Sequence, residues 1–253
     1  MDNSVYREGM DLPREYQPAP GLEGVYYLQA FHGKGWIARS YFVPREAGNI
    51  LVSPLVYSED LGDFIEARGG LAYIFVTHND EINSAVLSEV GRDGPGEPPS
   101  RLPACEYKKR FGCQIATHKM DTLELGERSI DLSWDADISP EPGLQFIHTP
   151  GHTPGCASLL LDTQVGRLLF CGDILGLNDA GAVDTEVEER EISYLPSTLS
   201  SWSKVVEHDF DALIPLHTVA ESPVPFIAQE GREALKVALA EVTAWWDQVK
   251  HSR

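Results

Sequence analysis

The chain has 253 residues, 42% of them apolar, enough to bury a sizeable core in one large domain or two small ones. Its formal charge of -19, from 39 acidic and 20 basic residues, opposes phosphate backbones and anionic lipid surfaces, so neither nucleic acid nor membrane is an expected partner. The longest apolar runs, such as 71–76, fall far short of the roughly 20 residues that cross a bilayer. The first residues show neither the basic start nor the apolar stretch of an export signal, so a cytoplasmic location is the expectation. Cys105, Cys113, Cys156 and Cys171 are unevenly spaced in a long chain and are expected to be free thiols.

Residues 1–20 are polar and carry Pro13, Pro18 and Pro20, the composition of an extended arm that is ordered only if it packs on the body formed by 21–253. The stretches 24–31, 36–43 and 49–53 are rich in aromatic and β-branched residues between glycine and proline punctuation, and predict a meander of antiparallel strands. Ser58 is a good helix cap, Glu59 and Asp60 suit a first turn, Leu61, Phe64 and Ile65 share a face, and Gly69 and Gly70 stop the helix. Residues 71–76 read as a strand buried on both faces that delivers Thr77 and His78 at its carboxyl end. The glycines and prolines of 91–103 predict a loop, a lid, a partner surface or a spacer beside the site.

Strands are predicted again at 113–117, around 130–134, and at 144–148, 156–161 and 167–171. Two late helices follow from the apolar stripes Leu199, Trp202, Val206 (capped at Ser197) and Leu235, Leu239, Val242, Trp246, with a short strand at 212–217 ending in His217. Strands in both halves with helices outside them make an α+β class, a four-layer αββα sandwich of two mixed sheets flanked by helices.

Ligand-type residues recur where apolar strands end: His78 and Asp80, His152, Asp173, and His217. Histidine nitrogen and carboxylate oxygen suit borderline divalent metals. The strongest signal is Thr149, Pro150, Gly151, His152, Thr153, Pro154, Gly155, in which two Pro-Gly turns bracket one histidine and fix its backbone. Phe170, Cys171, Gly172 and Asp173 place a carboxylate after an apolar strand and a glycine.

The segment from His148 to Gly155 resembles the third metal motif of the metallo-β-lactamase fold superfamily. Residues 170–173 resemble the fourth, and Ile214, Pro215, Leu216, His217 resemble the last, with Leu216 and Thr218 in place of its glycines. The first motif, Thr-His-x-His-x-Asp-His in the family, reads here Thr77, His78, Asn79, Asp80, Glu81, Ile82, Asn83. The resemblance implies that His78, Asp80, His152 and Asp173 line one metal position. The second would be left with His217 and Asp173, because Ile82 cannot ligate and Asn83 is a poor ligand. One divalent ion is therefore expected, zinc first, with iron or manganese open because an acidic second ligand also occurs in flavodiiron relatives.

What the resemblance implies chemically is hydrolysis of a small neutral or cationic ester, thioester or lactone, with Asp173 and Asp80 as the catalytic carboxylates and Asp80 chiefly a ligand. Glu81 reads as a solvated helix-start acid. The degenerate first motif also fits a non-catalytic or metal-free binding protein that keeps the fold. A strict β-lactamase is expected to be exported, and the strong acidity argues against a nuclease. His118 resembles a loop position of one branch of the superfamily without a role assigned to it, while Cys113, Cys156 and Cys171 read as core residues. Substrate and oligomeric state are not legible in the sequence.

Overall fold

The computed structural model describes residues 15–33, 35–79, 103–121, 130–187 and 191–250. Among these, the first sheet contains β1 (Gln17–Pro18), β2 (Tyr26–Gly33), β3 (Trp36–Val43), β4 (Ile50–Val52), β5 (Tyr73–Phe75), β6 (Gln114–His118) and β7 (Leu132–Trp134). These seven are hydrogen-bonded in chain order, and β13 (His217–Val219) also pairs with β3. The second sheet contains β8 (Ile138–Glu141), β9 (Leu144–His148), β10 (Ala157–Thr163), β11 (Gly166–Gly172) and β12 (Ala212–Pro215), ordered β12-β11-β10-β9-β8. Both are mixed: β2, β3 and β4 are antiparallel neighbours, β4 through β7 run parallel, and β12 runs parallel to β11.

Helices α1 (Glu59–Glu66) and α2 (Pro103–Phe111) pack on the first sheet, and α3 (Leu195–Val205) and α4 (Gly231–Val249) on the second. This is the four-layer αββα sandwich, and the period-2 geometry of strands explains why the apolar runs are continuous. In β10, Leu159 and Leu161 join the cluster between the sheets while Leu160 faces the helices. Tyr41, Phe75, Phe146 and Phe170 meet in the middle layer, with Phe75 and Phe146 centroids 4.8 Å apart across the two sheets. Burying each such ring contributes about 1.5–3 kcal/mol. All four cysteines are free thiols.

Ser58 caps α1, accepting from the Leu61 amide at 3.3 Å. The proline-rich segment ends differently from its expectation. Pro103 opens α2 instead of closing a loop, because a proline costs nothing at a first helical position whose N–H has no intrahelical acceptor; residues 91–102 lie outside the described ones. The same physics corrects α3, which begins at Leu195 rather than after a Ser197 cap: Pro196 fits the first turn, and Tyr194 stands at the cap without a side-chain bond.

The stretch 212–217 is not one strand ending in histidine. Pro215 ends β12, Leu216 crosses between sheets, donating to the Gly172 carbonyl and accepting from the Arg39 amide, and His217 begins β13. Of the N-terminal arm, residues 15–20 pack on the body: Tyr16 is buried with its ring 5.2 Å from that of Phe64, and β1 pairs with β2. Residues 1–14 lie outside the described ones.

Candidate metal centre

Three strand ends converge at one edge of the sandwich. His78 follows β5, Asp173 follows β11, and His152 sits in the turn between β9 and β10. Two backbone contacts lock the ends together. The Ala157 amide donates to the Thr77 carbonyl at 2.8 Å, and Gly172, at φ +59, lies so close to Thr77 that a Cβ on it would come within 2.9 Å of the Thr77 side chain. Only glycine tolerates both the left-handed backbone and that approach, so Gly172 is what lets Asp173 reach the neighbouring sheet.

His78 is buried, and its Nδ1 is 3.0 Å from the Thr77 hydroxyl, which turns Nε2 toward Asp173 Oδ2 at 3.3 Å. His152 is exposed, with its ring edge-on to that of His78 at 5.3 Å and near Tyr194 at 6.3 Å. One ligating atom each from His78, His152 and Asp173 lies within 4.8 Å of the others. An ion held at about 2.0–2.2 Å from each donor needs donors no further apart than roughly 4 Å, so small side-chain rotations close the set. Two imidazoles and one carboxylate with a side open to solvent are the donor types and number that zinc accepts in reactive sites, and iron or manganese also accept them.

His217 is not part of this trio. It approaches Asp173 from the opposite side, Nδ1 to Oδ1 at 2.6 Å, so the two carboxylate oxygens face different partners. Burial alone would raise the Asp173 carboxyl, but the imidazoles of His217 and His78 outweigh it and hold the carboxyl well below its usual range. An ionised carboxylate at this position is what a cation needs. Asp80, Glu81, Ile82 and Asn83 lie outside the described residues.

Around the trio stand residues to which the sequence attached no role. The His152 turn is tied down on all sides: the Ser201 hydroxyl donates to the Pro150 carbonyl at 2.6 Å, the Thr149 amide to the Cys156 carbonyl at 2.9 Å, and His148 Nε2 bonds the Pro154 carbonyl at 2.9 Å. The His148 ring lies flat on that of His118, 3.8 Å between centroids, and burial first, then His148, pushes the His118 imidazole down to about 4. Buried Asp121, on the 3-10 turn (Lys119–Asp121) after β6, accepts from the Asn79 amide at 3.1 Å and the Thr153 hydroxyl at 2.7 Å. Only proximity in three dimensions reveals these contacts, since 32 residues separate Asp121 from Thr153. Cys156 is buried, and burial raises its thiol to about 11, so it behaves as a core residue.

Among the described residues no helix is long and apolar enough to cross a membrane. No curated protein matches the sequence. Solved structures do match over nearly the whole chain. A metallo-β-lactamase with a HARLDQ motif from Cronobacter sakazakii superposes with a TM-score of 0.57 at 13% identity, covering 95% of this chain and 90% of its own. BJP-1, a subclass B3 metallo-β-lactamase of Bradyrhizobium japonicum, gives 0.55 at 17% identity, with 95% of each chain covered. A β-lactamase from Chitinophaga pinensis gives 0.54 at 13%, with 98% of each covered. At such identities the likeness concerns the fold. A family model described as the metallo-β-lactamase superfamily matches residues 95–218, the span that carries His152, Asp173 and His217. The chain therefore has the metallo-β-lactamase fold, and its residues 95–218 match the model of the metallo-β-lactamase superfamily.

Proposed function

We propose that the protein is a mononuclear metal-dependent hydrolase of a small ester, thioester or lactone. The observation that carries this reading is the convergence of His78, His152 and Asp173, with His152 exposed toward solvent. Zinc fits this donor set first, with iron or manganese as alternatives. When bound, such an ion supplies Lewis acidity toward an acyl carbonyl and makes water a competent nucleophile near neutral pH. The chain's own residues do the rest. Thr77 fixes the His78 ring, His217 and His78 keep the Asp173 proton off, and the braced turn holds His152. Asp80, one residue beyond the described span, is assigned to the same site as a further ligand on the strength of the first motif.

The neighbouring structures are β-lactamases by name, and a β-lactam is also a strained acyl compound, so a cephalosporin belongs in the substrate panel beside aryl esters, acyl thioesters and lactones. The net charge of -19 favours neutral or cationic members of that panel. The test is elemental analysis of untagged protein with the panel assayed in parallel, on wild type and His152→Ala. About one zinc, iron or manganese per chain, with acyl turnover that collapses in the variant while folding persists, is the expected result. Absence of metal after reconstitution, or turnover unchanged in His152→Ala, would replace it with the second reading, a binding protein built on the same fold.

A further inference from the structure

Asp121 belongs to none of the ligand motifs, yet it touches two of them. Its Oδ2 accepts from the Asn79 amide, one residue after His78, and from the Thr153 hydroxyl, one residue after His152. One buried carboxylate oxygen thus joins the two segments that carry the histidines, segments 74 residues apart on the basis of 78 and 152. Two donors on an anionic oxygen are charge-assisted bonds, about twice as strong as neutral ones. The other oxygen, Oδ1, is buried with no hydrogen-bond partner among the described residues. A buried carboxyl oxygen left without a partner is a cost that a small core residue at 121 would avoid.

The surroundings are fitted to the carboxylate. A Cβ on Gly155, the glycine of the second Pro-Gly turn, would lie 2.3 Å from Asp121 Cγ and Oδ1, so that turn runs against Asp121 only because position 155 has no side chain. Thr153 is in turn held by Cys156, whose Sγ lies 3.1 Å from its hydroxyl and 3.2 Å from its amide nitrogen. Asp121 does not lie in the ligand cluster itself, and the donors to it are a backbone amide and a hydroxyl rather than an imidazole.

We infer that Asp121 is a positioning residue: its carboxylate clamps the His78 segment to the His152 turn and so sets the spacing of the two imidazoles before any ion arrives. The inference rests on the reading of His78, His152 and Asp173 as a metal site. Groups that only orient a ligand typically change metal affinity 10- to 100-fold when removed, and the clamp should act on that scale.

The test compares wild type, Asp121→Ala, Asp121→Asn and Thr153→Val in two measurements. In metal-free protein, amide hydrogen exchange is followed in peptides spanning 77–79 and 151–156, with α4 as internal reference. In a second experiment cobalt(II) is titrated in, and its visible absorption reports affinity and ligand geometry. Asp121→Ala is expected to speed exchange in both segments about 10-fold or more, weaken cobalt(II) 10- to 100-fold and alter its spectrum. Asp121→Asn, whose amide oxygen still accepts from both donors, should restore both readouts to within a few-fold of wild type, and Thr153→Val should fall between. Wild-type exchange and affinity in Asp121→Ala would overturn the inference, as would an Asn variant as damaged as the Ala variant. If Asp121→Ala does not fold, Thr153→Val decides, since it deletes one of the two bonds and keeps the shape of the side chain. If wild type itself takes up no cobalt(II), the metal reading fails, and the clamp stands or falls on the exchange rates alone.

Discussion

His152 and His217 were both expected as ligands from the same kind of signal, a histidine just past an apolar stretch, and the fold treats them differently. The His152 turn is bracketed by two Pro-Gly pairs and braced by Ser201, His148 and Asp121, and it delivers its imidazole to the cluster with His78 and Asp173. His217 opens β13, where the ladder with β3 fixes its backbone, and its ring meets the far oxygen of Asp173. A turn without ladder bonds can be shaped around a ligand position. A residue in a sheet takes the direction that the register imposes. The geometry thus sets one imidazole beside His78 and the other against the far oxygen of Asp173, and on the proposed reading the first is a ligand and the second orients the carboxylate.

That contrast can be broken experimentally, and the largest effect is expected at His152. His152→Ala should cost metal affinity well beyond 100-fold, whereas His217→Ala should cost about 10- to 100-fold, the range for a group that orients a ligand; competition with a chromophoric chelator measures both. Equal losses would mean that His152 and His217 both hold the ion. The turn itself is probed by Gly155→Ala, whose added Cβ would meet the Asp121 carboxylate at 2.3 Å. A destabilisation of about 1–3 kcal/mol in urea melts is expected, with weaker metal binding, because overpacking here displaces Asp121. A neutral result would mean that the turn is less tightly fitted than its contacts indicate.

The smallest expected effect depends on pH. His118, pushed down to about 4 in the fold chiefly by burial, takes up its proton near 6.5 when unfolded. Its folded value is the lower one, so the unfolded chain binds more protons between these limits. Stability is therefore fully present above about pH 6.5 and is lost as pH falls toward 4. His208, pushed down first by burial, acts in the same direction. In metal-free protein, urea midpoints from pH 7 to 4 should fall less steeply in His118→Gln than in wild type. Because His118 stacks on His148, which bonds the Pro154 carbonyl, exchange in the His152 turn should rise on acidification before exchange in β13 does.

Much of the fold was legible because burial imposes periodicity. The apolar run 168–171 had to lie between two covered faces, and Leu61 and Ile65 had to share one side of α1. Strand ends were less legible, since ladders rather than side chains set them: 71–76 reads as six strand residues, and β5 pairs over Tyr73–Phe75. The opening of α2 at Pro103 was hidden because proline marks a loop and a first helical position equally well.

By itself the sequence determined that there would be two covered sheets, and that His78, His152, Asp173 and His217 would stand near strand or turn boundaries, because hydrophobic period and Pro-Gly turns are local properties. Only the tertiary structure decided which of these side chains meet. It set His217 behind Asp173, brought Asp121 between the two histidine segments and stacked His118 on His148. The reason is that such contacts depend on the relative placement of strands far apart in the chain, which register and sheet crossing fix and no local pattern encodes.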